Sequence, residues 1–483
     1  MLNSSHSEET RGLIRIAALS KGATPNTPLL IIKLYITLLV SILVFLAVGV
    51  IGPDVFQTSE TSYHSIRIDH NESVWHGKLF NMEKRHQLIW LEVVVGRPEE
   101  MSTDISFTYQ QEIIVTATAD SLVADKTVVT LINKEKHIKK IHCPAGKMVC
   151  DPVSIFNTHD VLYETYHLGV HFIHPGELIA GNMAEVIMVQ FQMHFVNIAF
   201  TNFQFIFKAA CQLITLWLAM SPVGKAFGGV LGGFFFQLSK TPKANWTDFQ
   251  RWCGCLLLAT FFFNDLFFPF EVYSDDGIMI TASYIVFLCA YMSFMLFFWL
   301  CLMHDCSRQG KAEQDKPKGG GFYVFKGVFC SVYFMLLAFI YINIRMQQQG
   351  DPSYDKLEDT HYRIFRHLLG MCTLIYVVWF LYHFVKAAQQ LKKMLPQHLF
   401  VFNLTCVVMV LSIISLISGS MYPLPTGSIG YAIIYGMLNT YVWILAWAFA
   451  PKERGSVRQQ EVVGEGREDV TAMVTVGGGD SAL

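Results

Sequence analysis

Two ionisable residues interrupt otherwise apolar stretches of this chain: Lys208 within Phe203–Met220, and Asp265, preceded by Asn264, within Cys253–Phe270. A charge carried on an apolar segment is costly unless it meets a partner or water. A lysine and an aspartate on neighbouring segments therefore suggest one pair, which serves either as a gate or ligand contact or as a structural ion pair holding two helices in register. Asn439 has Tyr435 and Trp443 four residues to either side, so the three form a polar and aromatic stripe on one helical face. Interhelical hydrogen bonding and a cavity lining are the two readings of that stripe.

Other reactive residues form smaller groups. Cys143 and Cys150 flank Pro144-Ala145-Gly146, a sequence able to turn the chain so that the sulfurs meet; a disulfide is expected, the alternative being two free thiols. His167 and His171 share a face if they lie on a strand, but His174 would point away, so no metal site is expected. Asn71-Glu72-Ser73 is a glycosylation sequon. There is no Ser-His-Asp spacing or H-E-x-x-H in a plausible context, and Gly228-Gly229 lacks the Lys-Ser/Thr of a phosphate loop. No catalytic activity is expected.

Composition sets what must position these residues. Of 483 residues 52% are hydrophobic and 15% charged, against about a quarter charged in soluble domains. Thirty-six Lys+Arg against 38 Asp+Glu leave a net charge of -2, which offers no basic field for nucleic acid. Eight stretches are long and apolar enough to cross a bilayer: Leu29–Ile51, Phe203–Met220, Cys253–Phe270, Ile278–Met303, Tyr323–Ile344, Leu368–Val385, Phe400–Met421 and Ile429–Phe449. Basic residues fall in alternate loops, such as Arg11 to Lys33, Lys225 to Arg251, Arg308 to Lys318 and Lys386 to Lys393. By the positive-inside rule those loops and both termini are cytoplasmic.

Between the first two stretches lies a block long enough for a lumenal or extracellular domain of its own. Its β-branched runs, Leu88–Val95, Ile105–Ala117, Thr127–Ile132, Tyr163–Phe172 and Val186–Val196, are separated by turn-forming residues and predict a β-sandwich. The expected fold class is a multi-pass α-helical membrane protein with eight transmembrane helices, one anchor plus a seven-helix bundle, and that β-sandwich domain. The division is 1–28 cytoplasmic, 29–51 first helix, 52–198 β-sandwich, 199–450 bundle and 451–483 disordered cytoplasmic tail.

An anchor, a lumenal β-domain and seven helices is the plan of the Wntless-like proteins with Golgi-dynamics-type lumenal domains. Gly52-Pro53 with Gln57-Thr58-Ser59, Asn264-Asp265 with Phe267-Phe268-Pro269, and Phe298-Trp299-Leu300-Cys301 leading to His304 and Gly310 resemble the transmembrane protein 181 type of that family. So do Tyr435-Gly436, Leu438-Asn439 and Pro451. The chain departs from the family at Gly224–Gly233, ahead of Phe234-Phe235-Phe236, where dense glycine predicts a flexible or interfacial cytoplasmic insertion. The resemblance implies a receptor-like or trafficking protein of the Golgi, wider endomembrane system or plasma membrane, with a link to toxic-substance binding. It implies a lumenal protein or lipid cargo alongside membrane lipid as partners, no nucleic acid, and no cofactor other than a bound lipid. The alternative is an ion channel or transporter formed by the seven-helix bundle, against which stand the lack of a charge ring, a filter-like segment and an inverted repeat.

Overall fold

The computed structural model describes residues 27–67, 72–96, 103–119, 127–158, 161–173, 186–220, 233–240, 246–273, 277–308, 320–351, 359–391, 396–421 and 428–450, with 242, 354 and 394. Asn71 and His174 lie outside the described residues, as do 1–26 and the tail from 451.

Eight strands form the expected sandwich: β1 (Phe56–Arg67), β2 (Glu72–Leu79), β3 (Ile89–Gly96), β4 (Ile105–Ala119), β5 (Thr127–Cys143), β6 (Val153–Thr158), β7 (Thr165–Ile173) and β8 (Val186–Val196). They pair as two four-stranded sheets, in the orders β1-β8-β3-β6 and β2-β7-β4-β5, and the strand pairs are antiparallel. Alternate residues of the two sheets meet inside: Leu91, Val93 and Phe191 from one, Ile113, Val115 and Val170 from the other, all buried. Trp75 of β2 stacks on Phe191 of β8 at 4.0 Å, joining the two sheets across the core. The Cys143–Cys150 disulfide is present, with a Cα–Cα distance of 4.0 Å. Because Cys150 N–H donates to the Val95 carbonyl at 3.0 Å, the bond also ties the end of β5 to β3 of the opposite sheet.

Three of these strands have no counterpart among the five expected runs. In β1 the residues Gln57 to Ser62 are all polar, in β2 five of the eight residues are polar or glycine, and β6 has only six residues. β5 runs through to Cys143 rather than ending at Ile132, because pairing with β4 carries the charged stretch around Lys136 along with it.

Seven of the eight expected apolar stretches each fall on a single helix, and the eighth, Cys253–Phe270, falls on two. The helices are α1 (Thr27–Ile51), α2 (Ile198–Met220), α3 (Phe234–Ser239), α4 (Asp248–Phe263), α5 (Phe268–Tyr273), α6 (Gly277–Arg308), α7 (Gly320–Gly350), α8 (Thr360–Gln389), α9 (Pro396–Met421) and α10 (Ser428–Ala448). Six segments meet the length and hydropathy of a membrane span among the described residues, and shorter apolar helical stretches occupy Tyr35–Ile51 and His398–Ser412. One expectation needs correction. Cys253–Phe270 is not one helix but α4 and α5 with a break between them. Residues 221–232, which hold most of the glycine-rich insertion, lie outside the described residues; the helix α3 that follows it has Phe234 and Leu238 buried.

The chain divides into two compact units, residues 1–212 with 259–441, and 213–258 with 442–483. In the first, β8 passes into α2 through Asn197 alone, whose side chain accepts from Ala199 N–H at 3.0 Å. Gln87 donates to Thr201 at 3.0 Å, and Thr201 donates to the Arg85 carbonyl at 2.6 Å, so the sandwich grips the first turn of α2. In the second unit, Phe249 stacks on Phe449 at 4.9 Å, and Cys253, Leu256 and Leu257 are buried.

Candidate functional site: a polar cluster at a broken helix

The break between α4 and α5 has a cause in the sequence. Pro269 has no N–H to donate to the Asp265 carbonyl four residues back, and its ring crowds that position. Asp265 adopts φ +58°, the left-handed region that Asp and Asn enter more readily than most other side chains. Its N–H bonds three residues back, to Phe262 at 3.0 Å, instead of four. A helix ending inside an apolar layer leaves carbonyls in need of donors. One is supplied from α10: the Tyr435 hydroxyl donates to the Phe263 carbonyl at 2.8 Å.

The residues expected to matter gather at this break. Lys208 Nζ donates to Asp265 Oδ2 at 2.6 Å, with side-chain exposures of 7% and 1%. The ammonium also lies 3.9 Å from the Phe268 ring centroid and 4.8 Å from that of Tyr284, so aromatic faces cover the part of it that Asp265 does not. Its position beside the carboxyl end of α4 adds a favourable dipole contact. Asn264 Nδ2 donates to Asn439 Oδ1 at 2.9 Å, and Asn439 Nδ2 donates to the Tyr435 carbonyl at 2.9 Å. Both asparagines are fully buried. Aromatic rings wall the cluster: Phe263 stacks on Tyr435 at 4.5 Å and on Tyr291 at 4.2 Å, and Tyr431 stacks on Tyr435 at 5.3 Å.

An ammonium, a carboxylate and two amides in apolar surroundings recognise hydrogen-bonding groups strongly, since competing water is scarce there. One acceptor is left over: Asp265 Oδ1 is buried with no hydrogen-bond partner among the described residues.

Not every expected residue joins the cluster. Trp443 is engaged within the second unit, donating to Thr215 at 2.9 Å. His167 and His171 share one face of β7, as expected, and His171 Nδ1 faces Glu112 at 3.4 Å. On the sandwich, His194 lies 3.9 Å from Glu92 and 3.0 Å from the Thr58 hydroxyl, with Trp90 stacked on it at 4.7 Å. Burial pushes His194 and His86 below the usual histidine range and pushes Glu92 up. Another buried cation, Lys326, is a residue that the sequence reading passed over, although it stands four places into an apolar run.

Over 440 residues, 86% of this chain and 84% of the other, the sequence is 25% identical to "Transmembrane protein 181" of Homo sapiens. The family described as Wntless-like, transmembrane domain, matches residues 197–453. That span is more than half of the chain and holds Lys208, Asn264, Asp265, Tyr435 and Asn439. This protein therefore belongs to the Wntless-like family of multi-pass membrane proteins.

Proposed function

We propose that the protein is a non-enzymatic receptor or trafficking carrier of the endomembrane system and cell surface. It recognises a protein or lipid cargo through the lumenal sandwich together with the polar cluster of its bundle. The observation that carries this reading is the leftover acceptor, Asp265 Oδ1, at a helix break lined with aromatic rings. Helices that serve only to anchor a domain gain nothing from an interrupted backbone and a buried charge pair, both of which cost stability. The direct passage of β8 into α2, which carries Lys208, supports a role in which sandwich and cluster respond together.

Electron microscopy of the full chain in lipid nanodiscs tests the reading. Ordered density of a lipid or cargo group within hydrogen-bonding distance of Asp265 is expected. A continuous water path through the bundle with no ordered ligand would contradict it and favour a channel or transporter.

A further inference from the structure

A second constellation joins three helix ends that the loop charges place on the cytoplasmic side. Three rings stack in sequence across them, His383 of α8 on His304 of α6 at 4.1 Å and His304 on Phe322 of α7 at 4.5 Å, and Tyr382 of α8 meets His383 edge to face at 5.2 Å. Lys326, 1% exposed, braces the stack from within, donating to His304 Nδ1 at 2.8 Å and to the Phe322 carbonyl at 2.7 Å. Two half-exposed bases stand at its ends. The Arg308 guanidinium lies 5.8 Å over Phe322, and the Lys386 ammonium lies 4.1 Å over Tyr382, whose hydroxyl it also bonds.

Charge and surroundings both point to an anionic lipid. Among the described residues of these ends, three bases (Arg308, Lys326 and Lys386) stand against one acid, Asp305, a formal balance of +2. Trp379 donates to His383 Nε2 at 3.1 Å, so a neutral His383 carries its hydrogen on Nδ1, a buried atom with no acceptor among the described residues. On two of the same helix ends the apolar side chains Phe325 of α7 and Val385 of α8 are turned outward, at 73% and 52% exposure. Acyl chains lie against such a flank while basic side chains reach the headgroup level.

We propose that this stack seats a phosphorylated inositol lipid. Arg308 lies over Phe322 and Lys386 over Tyr382, the first and last rings of the series, an arrangement that suits a headgroup carrying phosphates on more than one ring position.

The test uses the purified full chain in nanodiscs of phosphatidylcholine containing phosphatidylinositol bisphosphate or, at equal total charge, phosphatidylserine. The lipid retained is counted by native mass spectrometry. Wild type retains the bisphosphate lipid in preference to phosphatidylserine, and Arg308→Gln/Lys386→Gln lowers that retention by about 25-fold, about fivefold for each charge near the surface. Arg308→Lys/Lys386→Arg, which keeps both charges, retains the lipid and separates loss of the seat from loss of the fold. Equal retention by wild type and the neutralised variant would overturn the proposal, as would equal retention of the two lipids. Soluble inositol trisphosphate competing as strongly as the lipid itself would show a site for the free headgroup and overturn the lipid assignment.

Discussion

Tyr435 illustrates how one hydroxyl makes a break in a membrane helix tolerable. Its bond to the Phe263 carbonyl replaces the donor that α4 loses where it ends, and its ring packs on Phe263 at the same time. Tyr435→Phe keeps the packing and strands the carbonyl, so a loss of about 1–3 kcal/mol in thermal unfolding of the detergent-solubilised protein is expected. An unchanged midpoint would show that the carbonyl has another donor. On the sandwich, burial holds the proton affinity of His194 and His86 below the ordinary histidine value of 6.5. The unfolded chain then takes up protons first as pH falls, so stability that is complete above 6.5 is lost on descending through the lowered folded values. Glu92, raised by burial, works in the opposite direction, but in a window nearer its ordinary value of 4.5. Unfolding temperature therefore drops as pH falls below the ordinary histidine value of 6.5, and His194→Gln shallows that slope; parallel slopes would exclude His194 as a contributor. At this scale much of the cluster was legible, because Lys208, Asp265 and Asn439 are conspicuous wherever the neighbouring residues are apolar. Trp443 and Lys326 were not, since helical spacing gives a face without naming the neighbour, and a lysine near a helix end reads as one that reaches for water.

Between elements, the contact of α1 with α10 depends on small residues. A Cβ on Gly436 would lie 2.5 Å from the Phe45 ring, and one on Gly49 would lie 2.6 Å from the Ile429 Cα. Such approach is how helices gain packing energy in lipid, where the hydrophobic effect contributes little between them. Gly436→Ala should cost about 1–3 kcal/mol through overpacking, whereas Gly370→Ala, in α8 with nothing within 4 Å of the added carbon, should be neutral or stabilise by up to about 1 kcal/mol. Thermal unfolding of the two variants side by side checks both, and equal shifts would contradict the close approach. Hydropathy was sufficient to place every long helix, because a run of apolar residues is itself what a bilayer selects. The break at Asp265 escaped that reading, since a hydropathy window averages over Asn264-Asp265 while Pro269 still lies within an apolar run. β1 and β2 escaped because much of their sequence is polar, and a polar strand is held by its neighbours' backbone more than by its own pattern.

For the whole molecule, a multi-pass bundle and a sandwich are joined within one unit by an uninterrupted step from β8 to α2 and by the Gln87–Thr201–Arg85 contacts. That connection makes an event at the sandwich mechanically adjacent to the helix bearing Lys208. Loop charge predicts an orientation for the bundle, whereas it says nothing of a cargo, and a leftover acceptor specifies a donor and no more. The central claim is that the Lys208–Asp265 cluster works as a recognition site and is more than a clasp between helices. Lys208→Met and Asp265→Asn singly should each destabilise by about 3–5 kcal/mol, because each strands the other group in a poorly solvated place, and the double variant should recover that loss. The decisive measurement is native mass spectrometry of the recovered Lys208→Met/Asp265→Asn protein for ligand that copurifies with wild type. The account predicts a protein as stable as wild type that carries no ligand; a stable double variant carrying the same ligand at the same occupancy would contradict it.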